Sequence, residues 1–269
     1  MSDDLLKNPT VAYDLNPKLD YLTVLSSLGC PFHCEYCASN LLQPNLRQME
    51  PGLFVQHLAS LLPLLGKDKT DYNIAFMDDA LLARPKSHIL PILKQLKALS
   101  LPLRFHCPNG LHVRFISPQV AESMYANHFE MIRLSYESAT EHSMARKASD
   151  NKLTEQHFLQ AIQNLEHAGY KRSQLQVYIL IGLPQQSLQE IQASAQRVHQ
   201  LGLQVRLCQY SPIPGTKIFD HTCRDYAIDP WEPLLHNNSI LPAGDRRITP
   251  EIFAKFKNQI QQWNRQVMG

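Results

Sequence analysis

Residues 21–37 read YLTVLSSLGCPFHCEYC: an apolar run of strand length, Tyr21 to Leu28, broken by Gly29 and Pro31 into a loop that carries Cys30, Cys34 and Cys37. A strand whose carboxyl end opens straight into a loop of ligand side chains is the unit from which barrels of parallel strands build their sites. The Cys-x3-Cys-x2-Cys spacing lets three thiolates converge from one short loop. A structural zinc site closes its tetrahedron with four protein ligands, so three cysteines leave a coordination position open for chemistry or a ligand. A zinc loop completed by His33 is the competing reading, but a residue adjacent to Cys34 has to turn back into its neighbour's site.

Outward from the loop, apolar runs of strand length alternate with longer segments of helical period. The further strands are Asn73 to Met77, Leu103 to His106, Met131 to Ser135, Gln176 to Ile181 and Gln204 to Tyr210. Helical stretches start near Pro51, Lys86, Pro118, Thr154 and Ser187, the last with a Ser-x-x-Glu capping box from Ser187 to Glu190. Gly169 and Gly202 stop two of them. This alternation predicts an α/β fold with parallel strands and helical crossovers. Six units are too few for a complete eight-fold barrel, which predicts a partial (β/α)6 TIM-like barrel with functional groups on the loops after the strands.

After Gly215 the pattern dissolves into a segment rich in Pro, Asn and charge, until Thr249 caps a last helix with Pro250 at its first position. The expected organisation is a barrel core over residues 1–220 and a C-terminal extension over residues 221–269, packed on the core and closing its open side.

A chain of 269 residues that is 44% hydrophobic buries one sizeable core. Lys plus Arg number 26 against 24 for Asp plus Glu, with no long run of one sign, so charge points to neither nucleic acid nor lipid. The opening residues MSDDLLKNPT carry no targeting pattern and no stretch approaches membrane-spanning length, so a cytoplasmic location is expected. In that compartment six cysteines point to metal ligands, redox thiols or small buried hydrophobes rather than disulfides.

A four-iron, four-sulfur cluster on three thiolates has one iron without a protein ligand, free to chelate an amino and a carboxylate group. The cysteine spacing, with the aromatic Tyr36 directly before the third cysteine, resembles the signature of radical S-adenosylmethionine (radical SAM) enzymes. The resemblance implies that Cys30, Cys34 and Cys37 ligate a 4Fe-4S cluster. It implies that S-adenosyl-L-methionine binds there and is cleaved by one electron to methionine and a 5′-deoxyadenosyl radical, which removes a substrate hydrogen. An external flavodoxin or ferredoxin is the expected electron donor, and the substrate is an unidentified organic molecule.

The later strand ends carry groups suited to holding that cofactor. The second strand ends in AFMDDALL, and the resemblance gives Asp78 or Asp79 the methionine amino group; alone, the pair reads as an acidic cap. The paired aspartates depart from the family's Gly-Gly-Glu and look more like the branch with cobalamin-dependent members. Ser135 and Glu137 end the fourth strand two residues apart, on one face, and take the ribose in this reading. Lys152 is the candidate for the methionine carboxylate, and Ile181 and Gly182 for adenine, although Gly182 equally suits the turn before Ser187. His106, Cys107, Asn109 and His112 follow the third strand as candidate substrate contacts. Cys107, Cys208 and Cys223 are too scattered for a second cluster and read as buried, inert thiols. No residue is assigned a catalytic role.

Two alternatives stand beside hydrogen abstraction. A cobalamin-dependent methylase is suggested by the Asp78–Asp79 and CQYSPIPGT segments, but no Asp-x-His-x-x-Gly motif occurs and about twenty residues before the first strand are too few for a cobalamin domain, so a partner or unusual site is required. An iron-sulfur electron carrier or zinc-binding module breaks no substrate bond, but a carrier ordinarily uses four cysteines per cluster.

Overall fold

The computed structural model describes residues 12–16, 18–66, 71–136, 153–236, 243, 245 and 247–268. Its principal strands are β1 (Tyr21–Val24), β2 (Tyr72–Phe76), β3 (Leu103–His106), β4 (Ile132–Ser135), β5 (Leu175–Ile181) and β6 (Gln204–Gln209). Among the described residues the α-helices are α1 (Ser39–Leu42), α2 (Pro51–Leu61), α3 (Ile89–Ala98), α4 (Pro118–Ala126), α5 (Glu155–Ala168), α6 (Leu188–Gln200), α7 (Phe219–Tyr226) and α8 (Pro250–Met268). Two compact units divide the chain: Met1–Pro31 with Gln43–Arg133 and Ala161–Tyr170, and Phe32–Leu42 with Leu134–Gln160 and Lys171–Gly269.

In the first unit β1, β2 and β3 lie side by side in parallel, with Thr23 opposite Ala75 and Ala75 opposite His106. Alternation along the strands sends Leu22, Val24, Ile74, Phe76, Leu103 and Phe105 to one buried face. Helices α2, α3 and α4 add buried apolar residues to this core, among them Phe54, Leu58, Ile92, Leu93, Val120 and Met124. At its centre Phe76 stacks on Phe54 at 5.5 Å and on Phe129 at 6.1 Å. The opposite face of the same strands carries Tyr21, Thr23, Asn73 and His106, none of them fully buried.

Two boundaries differ from expectation. β1 ends at Val24 instead of running to Leu28, because Ser26 turns its N–H and hydroxyl to the Asp78 carboxylate, and Ser27–Leu28 pairs antiparallel with Arg47–Gln48. α3 starts at Ile89 rather than near Lys86, since residues 79–88 are spent in turns and a bend that bring His88 into the core.

In the second unit β5 and β6 run parallel, Tyr178 opposite Arg206 and Leu180 opposite Cys208. The capping box of α6 forms as expected: Glu190 N–H donates to Ser187 Oγ at 3.2 Å and Ser187 N–H to Glu190 Oε2 at 2.9 Å. The helix then buries Ile191, Ala195 and Val198. α8 starts at Pro250 with Ile252 N–H donating to Thr249 Oγ1 at 3.3 Å. From α8, Asn264 accepts from Val205 N–H at 2.8 Å and donates to Val205 C=O at 2.9 Å. One side-chain amide thus satisfies both backbone groups of Val205 on β6, the last strand of its sheet, where a neighbouring strand would otherwise pair. α7 lies in the stretch expected to be irregular; it is a two-turn helix carrying Asp220, Arg224 and Asp225, with Phe219 and Thr222 buried.

Candidate active site

The cysteine loop begins on a backbone that only glycine accepts. Gly29 has φ +82°, and a Cβ there would lie 2.6 Å from the Asn45 carbonyl oxygen and 3.0 Å from that of Gln43. Both obstacles are backbone, so the loop, not a side chain, has to move. We expect Gly29→Ala to lower stability by about 2–3 kcal/mol and to reduce iron uptake on reconstitution, read by urea unfolding and iron assay. Wild-type stability and iron content in that variant would remove the argument.

All three loop cysteines are half-buried and none is in a disulfide. Cys34 C=O accepts from Cys37 N–H at 3.0 Å, which closes a tight turn, and Cys37 Sγ receives Ser39 N–H at 3.4 Å and faces Ser39 Oγ at 3.3 Å. The Tyr36 ring packs on a buried cluster of Leu183, Tyr210, Ile228 and Ala243, and Glu35 C=O accepts from Ile218 N–H at 3.4 Å. The second half of the loop therefore leans on the segments that follow β5 and β6.

The two aspartates after β2 are not equivalent. Asp78 is 3% exposed and its carboxylate is fully engaged: Oδ1 accepts from Ser26 N–H at 3.1 Å, Ser26 Oγ at 2.7 Å and Ser27 Oγ at 2.6 Å, while Oδ2 accepts from Ser26 N–H at 3.2 Å. Burial raises its pKa, and the serine hydrogen bonds oppose that shift. Asp79 is exposed. Asn109 Nδ2 ties the loop after β3 to the same place by donating to Met77 C=O at 2.8 Å.

His88 extends the network, with Nε2 3.0 Å from Ser26 Oγ. Burial pushes its pKa down to about 4, against a smaller opposing hydrogen bond with the Met49 backbone. A depressed histidine pKa favours the neutral ring in the folded state. Its contribution is therefore complete above its ordinary value of 6.5 and is lost as pH falls toward 4. Asp78, with its pKa raised, acts in the opposite sense as pH falls. We expect wild type to lose about 3 kcal/mol more than His88→Gln over that window in urea unfolding; parallel profiles would contradict it.

The other strand ends are placed as follows. Ser135 is half-buried at the end of β4, whereas Glu137 and Lys152 lie outside the described residues. Ile181 shares the buried face of β5 with Val177 and Ile179, and its carbonyl accepts from Tyr210 N–H at 2.8 Å. Gly182 follows with φ +84°. Gln186, a residue the sequence did not single out, holds that turn: it donates to Leu180 C=O at 2.9 Å and accepts from Leu183 N–H at 3.2 Å. Only its place beside the Ser187 cap marks it in the sequence. His112 caps the short turn at Val113–Phe115, its Nδ1 accepting from Arg114 N–H at 3.3 Å. Burial raises the thiol pKa at Cys107, at Cys208 (to about 11) and at Cys223, which suits inert thiols.

The family model of the radical SAM superfamily matches residues 24–198, well over half of the 269 residues. The chain belongs to the radical SAM superfamily. As a radical SAM protein it is an enzyme that works with S-adenosyl-L-methionine and a 4Fe-4S cluster. It is 23% identical over 249 residues to an uncharacterized methyltransferase of Pyrococcus horikoshii, covering 90% of this chain and 49% of that protein. Among solved structures it is similar to the radical S-adenosylmethionine methyltransferase TsrM of Kitasatospora setae, solved with cobalamin and an iron-sulfur cluster bound. There the TM-score is 0.60 at 14% identity, over 77% of this chain and 40% of that one. It is also similar to coproporphyrinogen III oxidase HemN of Escherichia coli, with TM-score 0.61 at 13% identity over 90% and 52% of the two chains. The chain thus spans about half the length of these relatives or less. At such identities the likeness is one of fold, and it bears out the α/β, TIM-like class read from the sequence.

The donor set suits the family's cluster: three half-buried cysteines on one loop, none in a disulfide, with Cys37 Sγ accepting from Ser39 N–H. Among the described residues no three His, Cys, Asp or Glu side chains are gathered as a metal site. Ligand thiolates repel one another, and their convergence is part of what metal binding drives. Among the same residues no helix is long and apolar enough to cross a membrane.

Proposed function

We propose that this radical SAM enzyme reductively cleaves S-adenosyl-L-methionine and abstracts a hydrogen atom from an organic substrate. Cys30, Cys34 and Cys37 hold the cluster. When bound, the cluster delivers the electron and the sulfonium supplies the 5′-deoxyadenosyl radical. The observation that carries this reading is the Cys-x3-Cys-x2-Cys loop at the carboxyl end of β1, inside the matched residues 24–198.

In this proposal the chain's own residues do the positioning. Asp79, exposed beside a neighbour whose oxygens are already taken, is the carboxylate that receives the methionine ammonium. Asp78 fixes Ser26 and Ser27 just before the loop. Ser135 and Glu137 take the ribose, Lys152 the methionine carboxylate, and the backbone of Ile181 and Gly182 the adenine. A flavodoxin or ferredoxin donates the electron.

The test is anaerobic reconstitution followed by dithionite reduction with S-adenosyl-L-methionine, and chromatography for 5′-deoxyadenosine. A fully loaded cluster that yields none would sink the proposal. A second reading, methyl transfer with cobalamin from a partner or an unusual site, is favoured by the similarity to TsrM. It predicts S-adenosylhomocysteine and a methylated product only when cobalamin is added to the same assay.

A further inference from the structure

The face of the first unit's strands turned away from its apolar core lines a cavity of about 550 Å³. Its wall is laid down by strand alternation: Tyr21 and Thr23 from β1, Asn73 and Ala75 from β2 with Met77 just after it, His106 from β3 and Arg133 from β4. This volume falls within the range of pockets for small organic ligands, and so does the mixture of apolar wall and a few polar groups.

Among the described residues, Arg133 is the only cation in that wall. Arg104 on β3, by comparison, is held by Asp71 at 3.1 Å and Glu130 at 3.3 Å, as a structural arginine should be. Arg133, by contrast, has no carboxylate within ion-pair distance among the described residues and makes a single long hydrogen bond, 3.5 Å to the Cys107 carbonyl. A half-buried guanidinium aimed into a cavity without its counter-charge is a poor choice for stability and a good one for a ligand. The one acid among the described lining residues, Asp20, precedes Tyr21 at the amino end of β1, while Arg133 reaches the Cys107 carbonyl, just past the carboxyl end of β3.

The lining polar groups other than Arg133 and Asp20 carry no net charge. His106 Nε2 lies 2.9 Å from Asn73 Oδ1, which accepts its proton and leaves Nδ1 as an acceptor. Burial lowers the pKa of His106, so the ring stays neutral there. Thr23 and Tyr21 add hydroxyls. With Asp20 at the amino end of β1, away from the Cys107 carbonyl that Arg133 reaches, the one fork-shaped cation balances one carboxylate, whereas a phosphate dianion would leave charge uncompensated.

We propose that this cavity binds the enzyme's substrate and that the substrate is a small organic acid whose carboxylate pairs with Arg133. The assignment rests on the radical-enzyme reading, which calls for an organic substrate. It places the acid group near the carboxyl end of β3 and the rest of the molecule over Ala75, Thr23 and Tyr21.

Phenylglyoxal labelling tests it on the anaerobically reconstituted protein without reductant, with Arg133 and Arg104 followed by peptide mass spectrometry. The probes are benzoate and hexanoate, their amides benzamide and hexanamide, and inorganic phosphate, at matched millimolar concentration. Expected is an Arg133 that reacts and is slowed roughly ten-fold by at least one carboxylate, but not by its amide or by phosphate, while Arg104 keeps its rate. An Arg133 that never reacts, protection equal with amides, protection by phosphate alone, or no protection by either acid each overturns the proposal. Because no reductant is present, cavity and radical chemistry fail separately. Protection without 5′-deoxyadenosine in the cleavage assay overturns only the radical reading. Cleavage without protection overturns only the carboxylate.

Discussion

Cys34→Ala loses the cluster and, with it, the cleavage of S-adenosylmethionine. In the proposed site each iron but one depends on a single thiolate, and a loop with two thiols leaves two irons open to solvent. Changes in the groups that merely orient metal ligands cost about ten- to a hundred-fold, so removal of a ligand should leave less than about a hundredth of wild-type iron-dependent turnover. Cys30→Ala and Cys37→Ala should behave alike. The control is Cys208→Ala, whose thiol is shielded and held protonated, and which should load iron as wild type does. Visible absorbance, iron content and 5′-deoxyadenosine yield decide the matter together; turnover retained in Cys34→Ala contradicts the ligand assignment outright.

The adjacent aspartates should separate into two phenotypes. Asp78→Ala strips the acceptor from the Ser26 N–H and from both serine hydroxyls in a buried place, at a cost of about 3–5 kcal/mol. Its effect should appear in urea unfolding with no cofactor present. Asp79→Ala removes an exposed carboxylate with little structural role, so stability should change by less than about 0.5 kcal/mol. Its effect should appear instead as weaker binding of S-adenosylmethionine to the loaded protein. If both variants unfold like wild type, or if Asp79→Ala binds the cofactor normally, the division of labour drawn between them is wrong.

What the sequence disclosed follows from how local each signal is. Strand positions β2 to β6 were readable to within a residue or so because alternation and flanking Gly or Pro are written in consecutive residues. The Ser187–Glu190 box and the Thr249–Pro250 start are likewise complete within four residues. The end of β1 was not readable, because Ser26 and Ser27 are claimed by a carboxylate 52 and 51 residues later in the chain. For the same reason two identical letters at 78 and 79 gave no sign that one is buried and the other exposed. α7 escaped notice because eight residues with four charged or histidine side chains carry too short an apolar period. The cysteine loop was legible as chemistry, while its support by Tyr36 and Glu35 was not, since the partners lie far along the chain.

That support sets an order in time. The cysteines leave the ribosome early, yet Tyr36 needs Leu183, Tyr210, Ile228 and Ala243, and Glu35 needs Ile218. Contacts so distant in sequence form late. A nascent chain therefore carries three bare thiols before it has the surface that holds half of their loop, and metal delivery belongs to the finished chain. Chains stalled ahead of Leu183 should take up little iron, and oxidation of the exposed loop during synthesis should be the step most sensitive to air.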